Sequence, residues 1–249
     1  MIILVTGATA GFGTAIARRF VEEGHLVVAV GRRADRLKTL QGELGDALFI
    51  LTLDVTQRSA VDAAFSQLPE KFSKIDVLVN NAGLALGLEP FQKASIDDWE
   101  KMIDTNIKGL LYCTRALLPD MVKRKRGHII NIGSVAGEWP YQGGNVYSGT
   151  KAFVHQISNN LRADLHGTSV RVSNVEPGMA GGTEFSNVRF HGDDKRAAEV
   201  YARTQPLTSE DIAEAVFWIA SLPAHINVNN IQIMPTCQTY AGLTVCRDS

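Results

Sequence analysis

Seven short apolar runs punctuate the chain, at residues 2–6, 25–30, 48–53, 75–79, 128–133, 170–175 and 230–234. Their length and continuity read as buried strands. Between them, apolar positions return every three or four residues, the spacing of a helix with one covered face. Ile16, Ala17 and Phe20 follow the first run in this way, and another helix starts near Thr56. Trp99, Met102, Ile103, Ile107, Leu110, Leu111, Leu117 and Leu118 mark one long amphipathic helix over residues 96–123. Asn106 lies inside it, where asparagine is a mediocre helix former, and a kink or an internal water is the expected reason. A helix carrying Tyr147 and Lys151 continues to about residue 165, and residues 208–220 form a last helix with Ser209 as its expected cap.

Strand and helix thus alternate along most of the chain, which predicts an α/β fold. The exception is residues 179–205, where Gly181-Gly182 and polar residues surround a helical patch at residues 197–201. No strand follows until Asn230, so this insertion is expected to form a lid. No repeat or low-complexity linker divides the sequence, and 249 residues fit a single domain.

Apolar residues make up 45% and the formal net charge is −1, which excludes a disordered chain and leaves no footprint for a polyanionic partner. The basic stretch Lys123-Arg124-Lys125-Arg126 follows the long helix, where positive charge suits the helix dipole. Nucleic acid is therefore not expected as a partner. Cys113, Cys237 and Cys246 match neither a metal site nor a disulfide framework, so reduced thiols and no metal are expected. The N-terminal apolar run is too short for a signal peptide or a membrane span, and a cytoplasmic protein is expected.

Chemistry enters at the ends of the strands. The first leads into Gly7-Ala8-Thr9-Ala10-Gly11-Phe12-Gly13 and then a helix. Glycines there let the backbone approach a pyrophosphate, and the helix N-terminus offers free N–H groups. The second strand ends in Gly31-Arg32-Arg33 without a carboxylate. Arginine suits a 2′-phosphate, so NADP is the expected dinucleotide; alternatively, one or both arginines solvate the next helix. Asp54, followed by Val55, is placed to bond an adenine amino group, to help cap the helix after it, or both. Asn80-Asn81-Ala82-Gly83 closes the fourth strand with small residues that keep the backbone near a ligand.

Tyr147 and Lys151 lie four residues apart, on one helical face. A phenol of pKa about 10 needs roughly 4 kcal/mol of phenolate stabilisation to work as a base near pH 7. An ammonium about 4 Å away supplies about that much at an effective dielectric near 20. Ser134, at the end of the fifth strand, lies where open α/β sheets bind ligands. A lone YxxxK pair would usually be surface decoration, so the argument rests on the whole set.

Taken in order, TGATAGFG, NNAG, an asparagine within a helix, a serine, YxxxK and PG resemble the short-chain dehydrogenase/reductase family over nearly the full chain. That resemblance implies a single-domain Rossmann fold, a seven-stranded parallel sheet in the order 3-2-1-4-5-6-7 with helices on both faces. It also implies a catalytic tetrad of Asn106, Ser134, Tyr147 and Lys151, and a homotetramer. Coenzyme contacts are implied for the glycine loop (residues 7–13), Arg32, Arg33, Asp54, Val55, Asn81, Ala82, Gly83, Tyr147, Lys151, Pro177, Gly178, Met179, Thr183 and Phe185. More narrowly, NNAGLALG, EWPYQGGNVYSGTK, GGTEFSNVRF and LPAHINVNNIQIMP resemble the bacterial NADP-dependent 3-hydroxy acid dehydrogenases. These oxidise serine and allo-threonine at the 3-hydroxyl and reduce malonic semialdehyde. The sequence departs from the family pattern at Phe12, usually a small aliphatic residue. Thr183 lies one residue further past Pro177-Gly178 than the usual nicotinamide-amide contact.

The resemblance assigns Tyr147 to proton transfer, Ser134 to donation toward the reacting oxygen, and Lys151 to the phenol and the nicotinamide ribose. Asn106 would hold a water between Lys151 and solvent. A small hydroxy acid also needs an anchor for its carboxylate, and Arg189 in the lid is the candidate because a planar bidentate donor suits it. The alternative is an exposed lid arginine; Lys195 and Arg196 are weaker rivals. Two other functions fit the motifs: a reductase for another carbonyl, such as a 3-oxoacyl thioester or a sugar, and an NADP sensor without catalysis. The complete tetrad argues against the sensor.

Overall fold

In the computed structural model, which describes residues 1–240, the seven apolar runs become one sheet. Its strands are β1 (Ile2–Thr6), β2 (Leu26–Gly31), β3 (Leu48–Thr52), β4 (Val77–Asn80), β5 (Gly127–Ile132), β6 (Val170–Pro177) and β7 (Asn230–Ile233). They lie in the order β3-β2-β1-β4-β5-β6-β7, every neighbouring pair parallel. The helices are α1 (Gly11–Glu22), α2 (Ala34–Leu44), α3 (Arg58–Ser66), α4 (Ile96–Ile103), α5 (Leu110–Arg124), α6 (Asn145–Asp164), α7 (Phe185–Arg189), α8 (Asp194–Glu199) and α9 (Ser209–Ser221).

Both faces of the sheet are covered, which is why the strands read as continuous apolar runs. Ile3, Val5, Val27, Ala29 and Val79 pack with Ile16 and Phe20 of α1 and Ile212 and Val216 of α9. The alternate residues Leu4, Val28, Leu78, Ile129 and Val172 pack with Val61 of α3 and Cys113, Leu117 and Met121 of α5. Each such side chain contributes about 1.5–3 kcal/mol when fully buried. The order reverses between β1 and β4, so crossovers leave in opposite directions and open a crevice at the carboxyl ends of these strands.

The helix expected over residues 96–123 is interrupted. Between α4 and α5 lies a π-helical turn, Asp104–Gly109, and Asn106 sits within it. The irregularity that asparagine signals is thus an extra-wide turn, a feature that recurs at functional sites. At α9 the cap is Thr208 rather than Ser209. Thr208 Oγ1 accepts from Asp211 N at 3.2 Å, and Asp211 Oδ2 accepts from Thr208 N at 2.8 Å. This reciprocal pair is a capping box, and it leaves Ser209 buried inside the first turn. The strand through Val170 also continues to Pro177, two residues beyond its expected end.

The basic stretch after α5 serves the opposite end of the sheet from the crevice. Arg126 pairs with Asp76 at 2.9 Å, and the same carboxylate accepts from Ile2 N at 2.9 Å, at the start of β1. Cys113 is buried in the core, its thiol pushed up to about 12 by desolvation, and Cys237 is exposed, with no disulfide partner among the described residues. Cys246 lies outside the described residues. Among those residues no helix is long and apolar enough to cross a membrane, and no group of three His, Cys, Asp or Glu side chains could hold a metal.

Candidate active site

The glycine loop after β1 is built for close approach. Gly7 (φ 69°) and Gly11 (φ 52°) occupy the left-handed region, where side chains other than glycine are strained. A Cβ on Gly13 would lie 2.3 Å from Gly7 O and 2.6 Å from Asn81 Nδ2. Asn81 Nδ2 donates to Thr6 O at 2.9 Å, while Thr6 Oγ1 accepts from Asn81 N and Ala82 N at 3.0 Å each. The loops after β1 and β4 are therefore bound to each other. Ala10, at the N-cap of α1, has no side chain to occupy the first N–H groups. Those N–H groups and the absent Cβ atoms fit a pyrophosphate.

A cavity of about 730 Å³ runs from Arg32 and Arg33, past this loop, to Ser134, Tyr147 and Lys151. Asp54, Val55, Ala82, Gly83, Pro177, Gly178, Met179, Phe185 and Arg189 also line it. Thr183 also lines the cavity, close to Gly11, and its Oγ1 accepts from Phe185 N at 3.2 Å. Asp54 Oδ1 accepts from Thr56 N (3.0 Å) and Thr56 Oγ1 (2.9 Å), which fixes the turn before α3. The Phe12 ring, the departure from family pattern, packs half-buried against the α1–α9 side of the core. Three expected residues stand behind the wall: Ala8 is fully buried, Gly13 abuts Gly7, and Asn106 is buried below Gly83.

At the far end, α6 carries Tyr147 and Lys151 one turn apart, and Ser134 follows β5. Ser134 Oγ accepts from Ala136 N at 3.1 Å and donates to Pro177 O at 3.4 Å. The Tyr147 ring lies edge-on to Phe185, with centroids 5.8 Å apart. Asn106 donates from Nδ2 to Leu84 O (2.9 Å) and Thr150 Oγ1 (3.0 Å), and its Oδ1 accepts from Leu84 N (2.9 Å). The π turn thus clamps the loop after β4 onto α6. Gly109, which ends that turn, has no room for a Cβ, because Val55 Cγ2 would lie 2.8 Å from it.

The electrostatics depart from the expectation of a lysine-lowered phenol. Burial pushes Tyr147 up to about 12; the Ser134 hydroxyl and the Arg189 guanidinium pull in the other direction. Lys151 Nζ lies 5.9 Å from the centroid of the Tyr147 ring and donates instead to Ile132 O at 2.8 Å. Burial also lowers Lys151, to about 8. Desolvation therefore outweighs the Coulomb attraction of a pair at the separation observed, because both groups lose water at once.

Arg189 is half-buried over the reacting end. Its guanidinium lies 5.3 Å from the centroid of the Tyr141 ring and 5.6 Å from that of Tyr147. It donates to the Tyr141 hydroxyl and, from Nε, to Gly87 O at 3.2 Å. Lys195 and Arg196 are exposed on α8 and do not line the cavity; Arg196 covers the Phe190 ring instead. Trp139, Tyr141, Glu184 and Gln238 also line the cavity and were not among the expected site residues. Tyr141 and Trp139 precede Tyr147 in EWPYQGG, so their nearness in sequence was a usable signal. Gln238, whose Oε1 accepts from Met179 N at 2.6 Å, carried none.

A dinucleotide cradle leading to tyrosine, lysine and serine at the carboxyl edge of a parallel sheet defines an oxidoreductase of the Rossmann type. The chain belongs to the short chain dehydrogenase family, whose profile matches residues 1–193. It is 62% identical over 247 residues to the NADP-dependent 3-hydroxy acid dehydrogenase YdfG of Escherichia coli strain K12, covering 99% of this chain and 100% of that one. It is 51% identical over 247 residues to serine 3-dehydrogenase of Agrobacterium fabrum, covering 99% and 98%. Its backbone matches the closed form of a serine dehydrogenase complexed with NADP+, with a TM-score of 0.99, 62% identity and full coverage of both chains.

Proposed function

We propose that this protein is an NADP-dependent dehydrogenase for the 3-hydroxyl of small 3-hydroxy acids, among them L-serine, L-allo-threonine and 3-hydroxypropionate, and a reductase of malonic semialdehyde. The observation that carries the reading is Arg189, a cation in the same cavity as Tyr147 and close to its ring. A guanidinium so placed would take the carboxylate of a short acid whose hydroxyl meets the phenol. The names of the relatives support the same substrate class.

The glycine loop and the α1 N-terminus would hold the pyrophosphate, Arg32 and Arg33 the 2′-phosphate, and Lys151 the nicotinamide ribose. When bound, the oxidised coenzyme supplies a hydride acceptor and a positive charge. Ser134 holds the reacting oxygen, and Tyr147 gives or takes its proton. At about 12, Tyr147 stays protonated at neutral pH and is ready to donate during carbonyl reduction. Alcohol oxidation needs the phenolate, so positive charge from Lys151, Arg189 and the nicotinamide must offset burial. Asn106 fixes the scaffold that carries Lys151 and is the residue to which we assign the water that relays its proton. Residues 179–205 act as the lid and bring in Phe185 and Arg189. We place the enzyme in the cytoplasm as a homotetramer; exposed Leu111 on α5 and Trp218 on α9 are apolar faces that further copies would cover.

Parallel assays of L-serine, malonic semialdehyde and an acetoacetyl thioester, with NADP and NAD, test the assignment. Faster turnover of the thioester would move the protein to the rival reductase reading, and no turnover of any carbonyl would restore the sensor. Arg189→Leu is expected to raise the KM for L-serine roughly 10- to 100-fold, the worth of hydrogen bonds to a charged group. An unchanged KM would remove Arg189 as the anchor. Carbonyl reduction should decline as pH rises through about 8, where the buried Lys151 loses the proton that replenishes Tyr147. A pH profile of kcat/KM without a limb there would dissociate Lys151 from proton supply.

A further inference from the structure

Glu184 stands among the arginines at the phosphate end of the cavity. Glu184, immediately before α7, accepts from Arg33 Nη1 and Arg36 Nη2, each at 2.7 Å. Arg33 also donates to Thr9 Oγ1 of the glycine loop, from Nε at 3.1 Å and Nη2 at 2.9 Å. Arg32 is exposed beside them on the cavity wall, and none of the ion pairs among the described residues uses it. The surplus of guanidinium over carboxylate leaves positive charge for a phosphate monoester, which carries about −2.

As a stability device the pair of contacts is weak, because all three side chains are about two-fifths exposed. Its place in the chain gives it another use. The short helix that starts just after Glu184 carries Phe185, which meets Tyr147, and ends at Arg189. Beyond the helix side chains, Gly87 N donates to Arg189 O at 2.9 Å. The residue that leads into α7 is therefore held by the phosphate arginines, while the helix itself lies over the reacting end. The bonds on Glu184 hold its carboxyl below the usual carboxylate range, so it is charged at neutral pH.

We propose that Glu184 is a positioning residue that couples the 2′-phosphate site to α7, so that a bound 2′-phosphate holds Phe185 and Arg189 over Tyr147. This rests on the NADP reading given above. The coupling is one of order. A phosphate that immobilises Arg32 and Arg33 removes their rotamer freedom once, and Glu184 then meets a guanidinium already in place. By linkage, a seated α7 favours the phosphorylated dinucleotide in return. NAD would fill the glycine loop and leave the arginines unordered.

Hydrogen exchange of the amides of residues 183–190 tests this without turnover, in the full-length protein with saturating 2′,5′-ADP or 5′-AMP. The phosphorylated ligand should slow exchange roughly three- to tenfold more than 5′-AMP, the combined worth of two exposed ion pairs. Glu184→Gln should abolish that difference. Arg36→Gln removes the other partner of Glu184 but leaves the Arg33 contact, so it should keep most of that difference and controls for a general disturbance around Glu184. The KM for L-serine with NADP should rise more in Glu184→Gln than in Arg36→Gln, with kcat retained. Equal or faster exchange with 2′,5′-ADP in the wild type would mean that phosphate and Glu184 compete, and would overturn the proposal. Protection that persists in Glu184→Gln, or that vanishes equally in Arg36→Gln, would overturn it as well. If 2′,5′-ADP binds no more tightly than 5′-AMP, the NADP reading itself fails and takes the coupling with it.

Discussion

Tyr147→Phe is expected to fold, bind NADPH and lose about 10³-fold or more in kcat, within the range spanned by a lost general acid–base group. The ring is 7% exposed and packs in a small cluster with Ala85, Met102 and Ala136. Phenylalanine keeps that packing and the edge contact with Phe185, so stability changes little. What disappears is the hydroxyl to which the proposed mechanism gives the proton transfer. Thermal unfolding, NADPH binding by fluorescence and single-turnover kinetics would check the three parts separately. A variant that keeps a tenth of wild-type turnover would exclude Tyr147 as the acid–base group.

Gly13→Ala is expected to weaken NADPH binding on the order of 10²-fold, the scale of an ångström-sized misplacement in a binding site, and to lower stability as well. Its Cβ would meet Gly7 O at 2.3 Å and the carbonyl carbon at 2.8 Å. Both are backbone atoms held in the turn after β1, so the loop must shift rather than a side chain rotate. Gly42→Ala is the control, since a Cβ there meets nothing within 4 Å in α2. That change should stabilise the protein by about 0.5–1 kcal/mol through helix propensity. Isothermal titration with NADPH and urea unfolding of both variants would separate the two effects. Unaltered binding in Gly13→Ala would show that the cradle tolerates displacement and that the pyrophosphate does not depend on it.

On charge and distance alone, a lysine one turn away on α6 suffices in principle to bring a phenol's pKa near about 7, and an oxidised nicotinamide nearby would help. In the fold the amine turns to Ile132 O, and burial raises the phenol and lowers the amine. Under the mechanism proposed above, activation of Tyr147 for alcohol oxidation would need positive charge from outside the pair. The Arg189 guanidinium, carried by α7, already pulls the phenol downward.

The sheet was legible from the amino acids because its cause is local. Runs such as Leu4-Val5 and Val27-Val28-Ala29 are apolar on both faces, and a strand covered on both sides demands that wherever it lies. The glycine loop was legible for a similar reason, since left-handed φ and an absent Cβ are properties of the residue. Tyr147 and Lys151 could be paired because helical spacing sets their separation. Folding alone settled matters that hinge on partners distant in sequence. Glu184 reaches Arg33 across 151 positions, and Arg189 reaches Tyr141 across 48. The polar run with Asp193 and Asp194 made Arg196 a weaker candidate than Arg189, but only α7 and α8 place one over the cavity and the other outside it. The direction of the Tyr147 shift is of the same kind. Desolvation depends on everything that surrounds the ring, and no spacing along the chain records that.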